Sequence, residues 1–413
     1  MNIALFTDAY FPRINGVSIS VSSYAKELIN IGHTVLVVAS EYPDEKKIAS
    51  ISDFDTDNSI RLEDNIPVLR IKSMRVFVSK EDRLARFDKW FYIKKKLDQF
   101  KPDIIHVNSE LMIGYYGVMY ARHRKIGLVF TFHTMWEDYI KGYLPVVPST
   151  ISKKFVRDHM HFYLKYATEI IAPTEEIKQV VSDYGIDNRF VHLLPTGISE
   201  NFFVNDKQKT KLIRSILLDE YPKLKDKKIL LYVGRIAKEK NLDFLLDVIE
   251  KIHASRPDTV LLYVGAGPYL EDLQQHCKKR GLDKYVVFTG YINRLDLPAI
   301  YHLSDVFTFA SKSETQGLVT VEAMISGLPV VAIGERGTLN VMQGDNGGFM
   351  VHDSISEFIQ KVELLLDDKN IYLQKKVEAL EWGKKWTIES MTPRLIAIYE
   401  SAVEKMKGKN TKW

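Results

Sequence analysis

Cysteine is almost missing from these 413 residues: Cys277 stands alone. One thiol excludes an internal disulfide framework and fits a reducing compartment. Long apolar runs are missing as well. No stretch approaches the ~18–20 residues needed to cross a bilayer, and runs such as Thr34 to Ala39 have only strand length. Net charge is small, +4 from 57 Lys and Arg against 53 Asp and Glu. That excess is too slight to argue for a nucleic-acid partner. The opening run from Met1 to Tyr10 lacks a basic n-region and carries Asp8, so it does not read as a signal peptide. Together these absences predict a cytoplasmic protein, soluble or held peripherally at a membrane.

What is present is a large apolar fraction, 46%, enough to offset the ordering entropy of globular domains. At ~100–200 residues per domain the length predicts two domains, or three. Short β-branched runs alternate with helix-length amphipathic segments. Ile3–Phe6, Val35–Ala39, Val68–Ile71, Ile104–Val107, Leu128–Phe132, Ile170–Ala172 and Val191–Leu194 read as buried strands. After the turn-rich stretch from Pro195 to Asn201 the pattern resumes, with Ile229–Val233, Val260–Val264, Val286–Thr289, Val306–Phe309 and Pro329–Ala332. From Ile355 onward the chain reads as helices. This alternation predicts an α/β protein with two doubly wound, Rossmann-like parallel sheets. The expected domains are 1–200 and 201–390, with 391–413 as a final helix returning to the first. Ligand crevices are expected at the carboxyl ends of the strands, making one cleft between the domains.

Three strand exits carry candidate chemistry. After the first strand, Asn15-Gly16 precedes an expected helix near Val17, and Gly16 would let the backbone approach an anion. No G-x-G-x-x-G is present, which argues against a nicotinamide dehydrogenase. In the second half, Arg235 and Lys240 follow a strand and suit a diphosphate; a solvated basic loop is the plainer alternative. The third exit runs Ser311-Lys312-Ser313-Glu314-Thr315-Gln316-Gly317-Leu318-Val319-Thr320-Val321-Glu322. A helix starting near Gly317 would put Glu314 in the preceding loop and Glu322 on the second turn. The amides of Leu318 and Val319 could then hold a phosphate, helped by the helix dipole. Bare spacing leaves capping or surface roles open for both glutamates.

The combination of Glu314 and Glu322, Gly234-Arg235 with Lys240, Gly16, and the run Glu322-Ala-Met-Ile-Ser-Gly-Leu-Pro-Val330 resembles the retaining glycosyltransferases of family four, which have the GT-B fold. The resemblance spans essentially the whole chain. It implies that Arg235 and Lys240 hold a nucleotide diphosphate, with Thr315, Gln316, Gly317, Leu318 and Val319 around the donor. It further implies that Glu314 contacts the donor sugar, Glu322 the ribose, and Gly16 the phosphate or sugar from the other domain. His133, after a predicted strand, is implied to lie near the reacting sugar. UDP-hexose, glucose favoured, is the implied donor, with no cofactor. The one stretch with Asp-x-Asp spacing, Asp53-Phe54-Asp55 with Asp57 following, reads as a solvated turn, so no essential metal is expected.

His133-Thr-Met-Trp-Glu-Asp-Tyr139 more narrowly resembles bacterial diacylglycerol glycosyltransferases, which implies diacylglycerol as acceptor. An independent feature agrees. Between Arg70 and Lys101 eleven basic residues oppose four acidic ones. Leu84, Phe87, Trp90, Ile93, Leu97 and Phe100 read as one helical stripe. Arg83, Arg86, Lys89, Trp90, Lys94, Lys95 and Lys96 are therefore expected to meet an anionic lipid surface, the alternative being plain packing on the sheet. A soluble glycan or polysaccharide precursor as acceptor, or a nucleotide-sugar-binding protein without turnover, remain the competing readings.

Overall fold

A computed structural model of the chain describes residues 1–13, 15–42, 60–76, 79–133, 149–199, 206–314 and 316–408. They form two compact units, Met1–Gly197 with the segment from Ile388, and Ile198–Thr387.

The first unit is built on an eight-stranded sheet. Its strands are β1 (Asn2–Thr7), β2 (Thr34–Ser40), β3 (Ile60–Glu63), β4 (Ile66–Ile71), β7 (Ile104–Val107), β8 (Gly127–Thr131), β9 (Glu169–Ala172) and β10 (Val191–Leu193). Their spatial order is β10-β9-β8-β7-β1-β2-β4-β3. All neighbours are parallel except β3, which runs antiparallel to β4 at the edge. A separate antiparallel pair, β5 (Ser73–Val76) with β6 (Ser79–Ala85), lies outside this sheet. β1, β2 and β7 are apolar almost throughout because helices cover both faces of a parallel sheet. One face packs Ala4, Phe6 and Val107 against Ile113 and Tyr116. The other packs Ile3 and Leu5 against Val21, Leu395 and Tyr399. The final helix, Ile388–Gly408, thus belongs to the first unit's core.

The second unit carries six parallel strands, β11 (Lys228–Val233), β12 (Thr259–Val264), β13 (Val286–Phe288), β14 (Val306–Phe309), β15 (Val330–Ile333) and β16 (Gly348–Val351). Their order is β13-β12-β11-β14-β15-β16. In both sheets the chain lays strands to one side of the first strand, then reverses and lays the rest on the other side. The reversal falls between β1 and β7 in the first unit and between β11 and β14 in the second. At such a switch point the connecting loops leave in opposite directions, and a crevice opens beyond the carboxyl ends of the strands.

Candidate active site

In the second unit, the loops leaving β11 and β14 are tied together beside the switch point. Lys240 Nζ lies 2.6 Å from Glu314 Oε1. Asn241 donates from its side chain to the Ala310 carbonyl at 3.2 Å, and the Ser313 hydroxyl donates to the Glu239 carbonyl at 3.2 Å. Lys240 and Glu314 are largely screened from solvent, whereas Arg235 is 65% exposed at its side chain, with Glu239 Oε1 4.0 Å away. One ammonium proton of Lys240 is directed to Glu314, leaving two donors for a ligand. The second carboxylate oxygen of Glu314 is left to accept hydroxyls.

The helix Leu318–Ile325 begins at Gly317, whose φ of +64° suits a residue without a Cβ. No side chain caps that start. Gly337 seats the loop from behind: it donates its amide to the Glu314 carbonyl at 3.0 Å. A Cβ built on it would lie 2.8 Å from Gln316 backbone atoms and from the Glu314 carbonyl. Gln316, Leu318 and Val319 therefore share the loop and helix start with Glu314. Thr315 lies outside the described residues.

Glu322 falls on the second turn of this helix and is 2% exposed. A surface role is thereby excluded. Its Oε1 is 2.6 Å from Arg294, and its Oε2 accepts from the Tyr301 hydroxyl at 3.0 Å. The ion pair compensates the buried charge. Burial and the neighbouring Glu322 carboxylate hold the Tyr301 phenol protonated far above its ordinary range.

The first unit presents a different chemistry at its switch point. The helix Gly16–Asn30 is started by Asn15, whose side chain accepts from Ser18 N while Ser18 Oγ accepts from Asn15 N, both at 2.9 Å. A Cβ on Gly16 would meet nothing within 4 Å. The unit itself does not require glycine there, and the backbone presents an open face. Asp8, just beyond β1, is buried and accepts from Ser109 Oγ at 2.6 Å and Ile113 N at 3.0 Å. Burial outweighs those bonds and pushes its carboxyl up to about 6. His133 Nε2, beyond β8, is 3.3 Å from Asn108 Oδ1. That oxygen only accepts, so Nε2 carries the ring proton and Nδ1 is left as an acceptor. Burial pulls the His133 ring down to about 4, and it stays neutral at physiological pH. His106, beneath it, bonds Tyr399 and Thr131 at 2.7 Å each, and burial followed by the nearby His133 pulls it down to about 3. The Thr134–Tyr139 part of the histidine motif and the Asp53-Phe54-Asp55 run lie outside the described residues.

The expected basic stripe is corrected. Leu84 belongs to strand β6, Phe87 to a short 3-10 turn, and the helix covers only Trp90–Phe100. Within it Lys96 is 1% exposed, because it shares a face with Ile93, Leu97 and Phe100 at three- and four-residue spacing. Arg83 is also buried, its guanidinium 5.6 Å from the Tyr42 ring. Neither can face headgroups in this fold. Lys94 is held by Asp98 at 2.7 Å, and Arg86 and Lys89 share Asp88. Arg86 and Lys95 remain on the surface, with Phe91 81% exposed beside them; Trp90 is half-buried against Tyr116. Among the described residues no helix is long and apolar enough to cross a membrane.

Sequence reasoning missed Arg294, Tyr301 and Gly337, and also Asp8, Asn108 and Ser109. Nothing local marks them: each reaches the site through the strand order rather than through a motif.

Two Rossmann-like units, with an ion pair and an uncapped helix start at the switch point of the second, define the GT-B class of nucleotide-dependent transferases. A solved structure of Anabaena Alr3699/HepE in complex with UDP and glucose aligns with a TM-score of 0.71 at 17% identity, covering 97% of this chain and 99% of that one. Residues 14–202 match the Glycosyltransferase Family 4 model and 214–382 the model of Glycosyl transferases group 1. The alpha-monoglucosyldiacylglycerol synthase of Streptococcus pneumoniae is 30% identical over 93% of this chain and 84% of its own length. The synthase of that name from Acholeplasma laidlawii is 29% identical over 80% of each. The chain belongs to glycosyltransferase family 4, and it is an enzyme of glycosyl transfer.

Proposed function

We propose that this enzyme transfers glucose from UDP-glucose to diacylglycerol at a membrane surface, with retention of the α configuration and without an essential metal. The observation that carries the donor half is the Lys240–Glu314 pair at the second unit's switch point, beside the start of the helix Leu318–Ile325. Cleavage of the bond from sugar C1 to phosphate leaves negative charge on the departing diphosphate. Arg235, the free ammonium protons of Lys240 and the amides of Leu318 and Val319 are fixed donors for that charge. With such donors in place, no cation is called on to neutralise the leaving group. Glu314 accepts sugar hydroxyls through its second oxygen, and Glu322 accepts from the ribose in exchange for its contact with Arg294.

In the first unit, neutral His133 offers Nδ1 as an acceptor and adds no charge next to the anomeric carbon, where positive charge develops. Its role is to position the sugar, not to act as a nucleophile. The acceptor hydroxyl then attacks from the face the diphosphate leaves, as the family implies. The lipid acceptor is supported by the two synthase relatives and by a sulfoquinovosyl transferase of Arabidopsis thaliana, 29% identical over 67% of this chain and 52% of its own length. Exposed Phe91, Arg86 and Lys95 agree with an anionic surface.

The test is transfer of label from UDP-glucose and UDP-galactose to diacylglycerol in vesicles with and without anionic lipid. A chloroform-soluble α-glucoside that increases with anionic lipid is the expected product, formed also in the presence of a chelator. UDP release without a lipid product would send the acceptor to soluble glycans, and a galactoside would reassign the donor.

A further inference from the structure

The first unit contains a cavity of about 530 Å³ at the opposite strand ends of its sheet from His133 and Asn108. It lies at the amino ends of β8 and β9, lined there by Leu128 and Thr168, whereas His133 and Asn108 stand beyond carboxyl ends. Its volume is within the ~300–1,000 Å³ of ordinary small-molecule sites. Trp90, Met119, Ile126 and Met406 give it apolar walls. Methionine and tryptophan walls suit a flexible apolar chain better than a rigid polar ring.

The rim has one sign of charge. Arg122, Lys125 and Lys165 line it together with His123, and no lining residue is acidic. The Arg122 guanidinium lies 3.9 Å from the centre of the Tyr166 ring, and Lys165 Nζ lies 5.8 Å from the same ring. Two cations are therefore gathered from different helices onto one aromatic ring. Both residues sit in the last turn of their helices, where the helix dipole favours positive charge. The dipole accounts for cations at two helix ends, but not for the apolar cavity between them.

We infer that this cavity binds one amphiphile with an anionic head and a single apolar tail, the head at Arg122 and Lys165 and the tail between Met119 and Met406. The head is a carboxylate or a phosphate, so the ligand is a fatty acid or a lysophospholipid. Occupancy is independent of the donor reaction.

The test is calorimetric titration of the full chain, below micelle concentrations, with dodecanoate, a lysophosphatidate of equal chain length, dodecanol, acetate and inorganic phosphate. One-to-one binding of either tailed anion is expected, with the tighter one identifying the head group. Arg122→Gln combined with Lys165→Gln should weaken it by roughly tenfold or more, and Met119→Trp should block it by filling the tail site. Unfolding midpoints check that the variants fold; if Met119→Trp does not, the double charge variant decides. Absence of binding by both tailed anions overturns the inference. So does equal binding of dodecanol or of the tailless anions, or unchanged affinity in the double variant. The transfer assay with UDP-glucose reads the donor site separately.

Discussion

The two switch-point crevices share one architecture and differ in charge. Beyond β11 and β14 the second unit sets basic against acidic side chains, Lys240 against Glu314 and Arg294 against Glu322, and leaves Arg235 largely exposed. Beyond β1, β7 and β8 the first unit buries its titratable groups and shifts them toward neutrality, with Asp8 up to about 6, His133 down to about 4 and His106 to about 3. A doubly wound sheet supplies only the crevice and the loop directions. The side chains at the strand exits decide whether that crevice presents charge or neutral groups.

Removing charge from the second crevice should have the largest effect. Lys240→Ala is expected to lower kcat by ~10²–10³-fold, as for one lost electrostatic contact worth about 2–4 kcal/mol in the transition state. A rate near wild type in steady-state transfer would break the comparison. Next comes the seat of that crevice. Gly337→Ala forces a Cβ onto the backbone of Gln316 and Glu314, and should cost about 1–3 kcal/mol in denaturant unfolding together with donor affinity.

The first crevice is tested by pH. His106 has an ordinary value of 6.5 and about 3 in the fold, so the unfolded chain takes up its proton first. Its contribution is intact above pH 6.5 and is lost as pH falls toward 3, about 2 kcal/mol between pH 7 and 5. Relative to His106→Gln, the wild type should lose stability over that interval. Asp8 works in the opposite sense. Raised from 3.8 to about 6, it favours the fold at low pH and loses that contribution as pH rises through 6.

Smaller effects concern the outside of the first unit. Arg86→Gln, Lys89→Gln and Lys95→Gln should each weaken binding to anionic vesicles by ~1 kcal/mol at most. Lys96→Gln should instead lower the melting temperature and leave vesicle affinity unchanged, because its ammonium is inside the protein. The smallest effect on stability belongs to Gly16→Ala. With open space around it, the substitution should leave stability unchanged or raise it by up to ~1 kcal/mol. A higher KM for donor in that variant would show that a ligand uses the open face.

Where strands are buried on both faces, the sequence is read easily. β1, β2, β11 and β12 are uninterrupted apolar runs, and each stands within a residue or so of its expected place. β6, with the sequence SKEDRLA, carries no such run because it pairs outside the main sheet. The same stretch misled the helix reading, since Leu84 and Phe87 fit a three-residue spacing by coincidence. Lys96 misled it in another way: residue type suggested the surface, whereas the 93-96-97-100 spacing placed it inside. In the second crevice, Glu314, Gly317 and Lys240 were visible as motif residues. Arg294 and Gly337 were not, because each is brought in by a separate strand–helix segment.

The terminal helix also orders the events of biosynthesis. Tyr399 bonds His106, and Ser401 and Lys405 bond the buried Glu169. The second unit, by contrast, is one continuous stretch, Ile198–Thr387. A ribosome therefore delivers every residue of the later-starting unit while the earlier one still lacks the strand-covering segment from Ile388. Until that segment emerges, the face carrying Ile3, Leu5 and Ile104 is covered only by the helix Gly16–Asn30, which leaves apolar surface for chaperones to shield. The domain that begins first is completed last.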